Sequence, residues 1–289
     1  MRDFVIMTDS CCDLPAQLAN ELGIVVLPLS MLLGEDSFKN YLDGREIGFK
    51  EFYDRVRNGA MPTTSAVSVG DFEDAMRSVL AQGKDILCLN FSSALSTTYQ
   101  SACIAAETMK EEFPEGSVRV LDTRCASLGQ GLLVYLCSRK QMDGLTLEEV
   151  YDFARETAPT VAHWVTVDDL FHLKRGGRVS ATTAVVGSML SIKPIIHIDD
   201  EGRLINVGKS RGRKLSLLTL AEECEKRLLD PSLPVFISHG DCEEDAKFVA
   251  AEVEKRTGAK TMVINYVGPV IGAHTGAGVI ALCFTAKER

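Results

Sequence analysis

Short apolar runs of strand length alternate along this chain with stretches of helical period, and that alternation constrains the fold more than any other feature. "FVIMTDS" reads as a strand. "DLPAQLANELG" follows as a helix, with Asp13 the expected N-cap, Pro15 in the first turn and Gly23 at the stop. "IVVLPLSMLL" is strand-like, and "GFKEFYDRVRNG" is a helix ended by Gly59. "MPTTSAVSV" reads as a polar loop before the helix "GDFEDAMRSVLAQG". "DILCLNF" is a continuous apolar run, the mark of a strand buried on both faces. The helix in "SSALSTTYQSACIAAETMKEEF", the strand "SVRVLDT" and the helix "GQGLLVYLCSRKQMDG" repeat the pattern. Such alternation predicts a parallel sheet covered by helices.

After about residue 160 the texture changes. "AHWVTV" is a strand, and "DDLFHLKRGGR" a short helix closed by two glycines. "PIIHIDDEGRLINVGKSR" reads as a hairpin turning at "DDEG". "PVFISHG", "TMVINYV" and "AGVIALCFT" are further strands separated by helices. A hairpin among crossover units implies a mixed sheet. The expectation is therefore two α/β domains, residues 1–160 around a parallel sheet with helices on both faces and residues 161–289 around a mixed sheet.

Charge and cysteine usage narrow the function. The net charge is −9 with no compensating basic stripe, which argues against a nucleic-acid partner. No apolar run reaches membrane-spanning length, and "MRDFVIMTDS" turns acidic too soon for a signal peptide, so a cytoplasmic protein is expected. Nine cysteines, with no C-x-x-C, read as reduced and mostly buried thiols; Cys11 and Cys12 are the more exposed candidates. The five histidines lack metal-ligand spacing, and no metal or cofactor is expected.

Ligands of parallel α/β sheets bind beyond the carboxyl ends of the strands. The residues expected there are mostly hydroxylic, with few charges: Thr8, Asp9 and Ser10 after the first strand, Ser92 and Ser93 after "DILCLNF", and Thr123 and Ser127 after "SVRVLD". The "PTTSAVS" loop adds Thr63, Thr64 and Ser65. Such groups either cap helices or hydrogen-bond a small polar head. "GPVIGAHTGAG" sets His274 on what reads as a glycine-flanked turn, as a ligand contact or as a core histidine satisfied by backbone. "GAGVIA" matches a dinucleotide fingerprint only formally, because a strand-like run follows where a helix is required, and "GQGLLV" lacks the third glycine. No P-loop and no G-x-S-x-G occurs, although Ser93 with His274 would suit a hydrolase or acyltransferase. Two basic islands, "HLKRGGRVS" with Arg178 and "GKSRGRK" with Arg211, stand out on an acidic chain as solvated surface or as a docking face.

"MTDSCCDLP", "PTTSAVSVGDF", "FSSALSTTYQSA", "VDDLFHLKRGGRVS", "KPIIHIDDEGRL" and "GPVIGAHTGAG" occur in the order seen in DegV proteins, and the chain resembles that family over essentially its whole length. These are bacterial fatty-acid-binding proteins, the lipid-carrying subunits of fatty acid kinase. The resemblance implies a two-domain α/β fold with a long-chain fatty acid between the domains and no catalytic residue on this chain. Its carboxylate would be held by Thr64, Ser93 and His274, with Thr63, Ser65 and Ser92 beside them. It implies that the ATP-binding kinase subunit makes the acyl phosphate, that Arg178 and, more loosely, Arg211 face this partner, and that any membrane contact is transient, for lipid exchange. A lipid sensor without a kinase partner is a further reading. Two positions depart from the family pattern: Ala66-Val67 stands for the usual Gln-Pro, and Thr97 for the glycine of S-G-T-Y. Both lie near the expected head-group site.

Overall fold

A computed structural model describes residues 2–168, 170–179 and 192–289; Asp169 and Ser180 of the "VDDLFHLKRGGRVS" motif lie outside the described residues. The first part runs β1 (Phe4–Asp9), a 3-10 turn (Ser10–Cys12), α1 (Ala16–Glu21), β2 (Val25–Leu27), β3 (Ser30–Leu33), β4 (Asp36–Lys39), α2 (Phe49–Arg57) and β5 (Thr63–Ser65). It continues through α3 (Val69–Leu80), β6 (Asp85–Asn90), α4 (Thr98–Glu112), β7 (Val118–Asp122), α5 (Ser127–Met142) and α6 (Leu147–Thr157). The second part runs β8 (Val161–Thr166), α7 (Phe171–Arg175), β9 (Ile192–Ile198), β10 (Leu204–Arg211), α8 (Arg213–Arg227) and β11 (Val235–His239). It ends with α9 (Glu243–Thr257), β12 (Thr261–Tyr266), α10 (Pro269–Thr275) and β13 (Ile280–Thr285).

The predicted sheet types are both present. The first sheet is parallel, in the order β2-β1-β6-β7, with Met7 opposite Cys88 and Cys88 opposite Val120. The second is mixed, in the order β10-β9-β8-β13-β11-β12; among the described residues only β11 and β12 of this sheet pair in parallel. The DDEG hairpin is the β9–β10 pair.

Several local expectations change. "IVVLPLSMLL" is divided at Pro28: β2 joins the parallel sheet, and β3 centres a small antiparallel sheet, β4-β3-β5. Proline has no N–H for the ladder, so it marks the change of sheet. The expected loop at Thr63–Ser65 is strand β5, paired with β3 so that Thr64 faces Met31. "GPVIGAHT" is helix rather than turn, with Pro269 in its first turn. Asp13 does not cap α1. It is buried at φ 51°, and its carboxylate accepts from Gly268 N at 3.0 Å and Ser127 Oγ at 2.5 Å. Cys11 and Cys12, expected to be more exposed, are fully buried, because the 3-10 turn packs against α5, with Cys12 in the cluster of Leu14 and Leu128 and Cys11 in that of Met7 and Met31.

Helix α5 ties the architecture together. Leu128, Leu132, Leu133, Val134 and Cys137 are buried, as are Gly129, Gln130 and Gly131 on the remaining faces. One side packs on β1 and β6, the other on β8, β11 and β13. Its first two turns are buried all round and carry no amphipathic stripe, whereas Arg139 and Met142 near its C-terminal end are exposed. Two glycines let it sit this close: a Cβ at Gly131 would lie 2.6 Å from Cys12 O, and one at Gly129 would lie 1.8 Å from His163 Nε2.

Candidate functional site

A cavity of about 440 Å3 lies where the carboxyl ends of β2, β6 and β7 face the mixed sheet and α10. Its walls are mostly apolar: Leu29 and Phe91 from the parallel side, Val165, Ile198 and Ala281 from the mixed sheet, and Val270 and Ile271 from α10. The size falls within the roughly 300–1,000 Å3 usual for small-molecule sites. Among the described residues no helix is long and apolar enough to cross a membrane, and no cluster of candidate metal ligands occurs.

The polar groups of the wall come from loops, strand ends and helix α10. His274, on the last turn of α10, meets Thr64 of β5 with 2.8 Å between Nε2 and Oγ1. Its other nitrogen, Nδ1, is buried without a hydrogen-bond partner. Gly176 lies against that atom; a Cβ there would fall 2.2 Å from it. Burial, together with the nearby Arg178 and Arg175 charges, pushes the His274 pKa down to about 4, so the ring is neutral at pH 7.

Ser93 lines the cavity but is not bonded to His274. Its Oγ donates to Asp122 Oδ2 at 2.5 Å and its N–H to Asp122 Oδ1 at 3.1 Å. The serine–histidine hydrogen bond that activates a nucleophile is therefore not made. Ser65 and Arg178 also line the cavity. Arg178 donates from Nε to Leu95 O at 3.2 Å and from Nη1 to Gly176 O, and so stands at the cavity wall. Thr63 is exposed and off the cavity. Ser92 is buried behind it and ties the two parts of the chain by donating to Gly202 O at 2.8 Å. Arg211 is exposed at the end of β10, away from the lining.

Other strand-end hydroxyls act structurally. Thr8 Oγ1 donates to Leu89 O at 2.6 Å, Thr123 Oγ1 donates to Asn90 O at 2.7 Å, and Ser10 Oγ accepts from Leu29 N at 3.0 Å. Asp9 accepts from Cys11 N and Phe91 N and holds the turn after β1.

Sequence reasoning missed one wall residue, His163, and one residue behind the wall, Asp122. Asp122, which orients Ser93, is the last residue of β7, and its place at a strand's carboxyl end was the available signal. His163 lines the cavity from β8 as an apolar surface, since Nε2 accepts from Ala126 N at 3.2 Å and Nδ1 donates to Val161 O at 3.1 Å. Burial drives its pKa well down, and both nitrogens are occupied.

Comparison with known proteins fits this geometry. The family model for DegV matches residues 3–287. A DegV domain-containing protein of Clostridium perfringens is 44% identical over 290 residues, covering 100% of this chain and 99% of the relative. A DegV family protein from Thermus thermophilus, whose structure is described as one of fatty acid binding, is 32% identical with a TM-score of 0.86, covering 99% of this chain and 100% of that one. A stearic acid-binding protein from Eubacterium ventriosum is 26% identical with a TM-score of 0.88, covering 98% of each chain.

Proposed function

The chain belongs to the DegV family, and from that premise we propose that its cavity holds a long-chain fatty acid, tail along the apolar wall and head group at Thr64, Ser93 and His274. The observation that carries this is a mostly apolar cavity of about 440 Å3 whose wall includes a neutral Thr64–His274 pair with one nitrogen unpartnered. The fatty-acid-binding relatives support it. A sixteen-carbon acid buries roughly fourteen methylenes at about 0.8 kcal/mol each, near 11 kcal/mol before association costs. Burying the head group works against binding, and hydroxyl and imidazole hydrogen bonds offset that cost.

We further propose that the chain presents this head group to a separate ATP-dependent fatty acid kinase, which forms the acyl phosphate, with Arg211 and the Arg178 segment meeting the kinase. The boundary near residue 160, between the parallel and mixed sheets, belongs to the same proposal. So do a cytoplasmic location, brief membrane contact for lipid exchange and the lack of a cofactor.

Denaturing extraction of the purified protein with mass spectrometry of the organic phase tests the first step; near-stoichiometric fatty acid is expected. A protein that comes out empty and takes up neither palmitate nor oleate would refute it. For the second step, acyl phosphate made with ATP and a purified kinase subunit is trapped by hydroxylamine. Arg211→Ala is expected to lower that yield while leaving lipid affinity intact, and an unchanged yield removes Arg211 from the contact.

A further inference from the structure

The hydroxyl proton of Ser93 is already committed. Oγ donates to Asp122 Oδ2 at 2.5 Å, while Asp122 Oδ1 accepts from Ser93 N at 3.1 Å and Arg124 N at 3.0 Å. A carboxylate only accepts, so the direction of the Oγ bond is set. What Ser93 turns toward the cavity is lone pairs. A ligand group that meets it must bring its own hydrogen. A fatty carboxylate has none, whereas a fatty carboxylic acid has one.

We propose that Asp122 is a positioning residue that fixes Ser93 as an acceptor, and that the bound lipid is the neutral carboxylic acid, donating its O–H to Ser93 Oγ. This rests on the fatty-acid reading of the cavity. The step is a protonation: a carboxylate arriving from solution takes one proton from solvent, an O–H bond forms on the ligand, and no other covalent bond changes.

The surroundings agree. Tyr99 on α4 and Cys125 after β7 feel the Asp122 charge. Arg124 directs Nη1 to Asp200 O, and Arg178 gives Nε and Nη1 to Leu95 O and Gly176 O. His274 is neutral, with Nε2 on Thr64, and His163 across the cavity has both nitrogens occupied. A neutral acid also avoids the desolvation penalty of a buried carboxylate.

The test loads the full chain with palmitic acid carrying 13C at the carboxyl carbon and follows that resonance by NMR from pH 6 to 9. It is expected at the neutral-acid position throughout. Calorimetry in two buffers of different ionisation enthalpy should show uptake of about one proton per lipid at pH 7, and affinity should fall about tenfold per pH unit above the acid's solution pKa. Asp122→Asn, whose amide donates to Ser93 Oγ and frees the hydroxyl proton, should move the resonance to the carboxylate position and abolish the uptake. If that variant fails to fold, Ser93→Ala replaces it, and an unmoved resonance there overturns the Ser93 assignment. A carboxylate resonance in the unaltered protein overturns the proposal and leaves the fatty-acid reading standing. Proton uptake accompanied by a carboxylate resonance places the proton on His274 and overturns it as well. No bound resonance at all sinks both.

Discussion

Gly176→Ala tests the head-group geometry through a single methyl. The backbone permits alanine there, since Gly176 sits at φ −72° and ψ −8°. The conflict is purely steric: the new Cβ would lie 2.2 Å from His274 Nδ1 and 3.2 Å from Cε1 and Cγ. Ordinary contact begins near 3.4 Å, so the imidazole must retreat by about 1 Å. It already stands at hydrogen-bond distance from Thr64, 2.8 Å, and retreat breaks or distorts that bond. Losing the bond costs about 1 kcal/mol, and crowding the pocket adds about 1–3 kcal/mol. Urea unfolding should report that loss. Displacement of a fluorescent fatty acid should show affinity down by about tenfold, equivalent to about 1.4 kcal/mol. Gly177→Ala is the control. Gly177 has φ +67° but nothing within 4 Å of an added Cβ, so strain should cost about 1 kcal/mol while the His274 resonances stay in place. If Gly176→Ala leaves stability, affinity and the His274 resonances unchanged, the ring is not wedged between Gly176 and Thr64, and the site geometry is wrong.

Other substitutions probe separate parts. Thr64→Val keeps the shape but removes the partner of His274 Nε2; a loss of about 1–2 kcal/mol in unfolding free energy and weaker fatty-acid binding are expected. Gly129→Ala would drive a methyl into His163, 1.8 Å from Nε2, within a fully packed helix, and should destabilise by about 3 kcal/mol in urea. Asp13 contributes to the pH dependence alongside Asp9, whose pKa burial raises to about 6. Burial, reinforced by Asp9, raises the Asp13 pKa from the usual carboxylate value to about 7 against the hydrogen bonds from Ser127 and Gly268. A folded-state pKa above the unfolded one means its stability contribution is complete below about pH 4 and is lost as pH rises to 7. Asp13→Asn, which tolerates φ 51°, should therefore reduce the slope of the unfolding free energy between pH 4 and 7, leaving the part due to Asp9; an unaltered profile would show that Asp13 ionises normally in the fold.

Elements with strong apolar periodicity were visible in the sequence because burial dictates their composition. β6, β8 and β13 are apolar on both faces and read correctly as strands. β5 did not, because three hydroxylic residues paired to β3 through their backbone carry no hydrophobic signal. α6 passed unremarked although Thr146 and Glu149 form a capping box, which is a local start signal. α10 was taken for a turn because its glycines outweighed Pro269 as evidence; yet Gly272 is there for close packing, its Cβ position lying 2.7 Å from Phe52. The site divides in the same way. Thr64, Ser93 and His274 could be named from motifs, but the link from Ser93 to Asp122 spans 29 residues and depends on the register of β6 against β7. Sequence order alone does not supply that register. Ser92 and Ser93 are neighbours with opposite orientations, one toward Gly202 and one toward the cavity, which only the strand-end geometry decides.

The burial of α5 between the two sheets bears on how the protein is made. The helix is complete by Met142, yet one of the surfaces that covers it includes β13, which ends at Thr285. During synthesis at about 5–20 residues per second, its apolar side waits roughly seven to thirty seconds for that strand. Over that interval the nascent chain presents Leu132, Leu133 and Val134 without their final cover, a target for chaperones and a hazard for aggregation. Truncations that remove the last strand should therefore be retained by the quality-control machinery even though the cavity-lining residues of β5, of the loop after β6 and of α10 have all been translated.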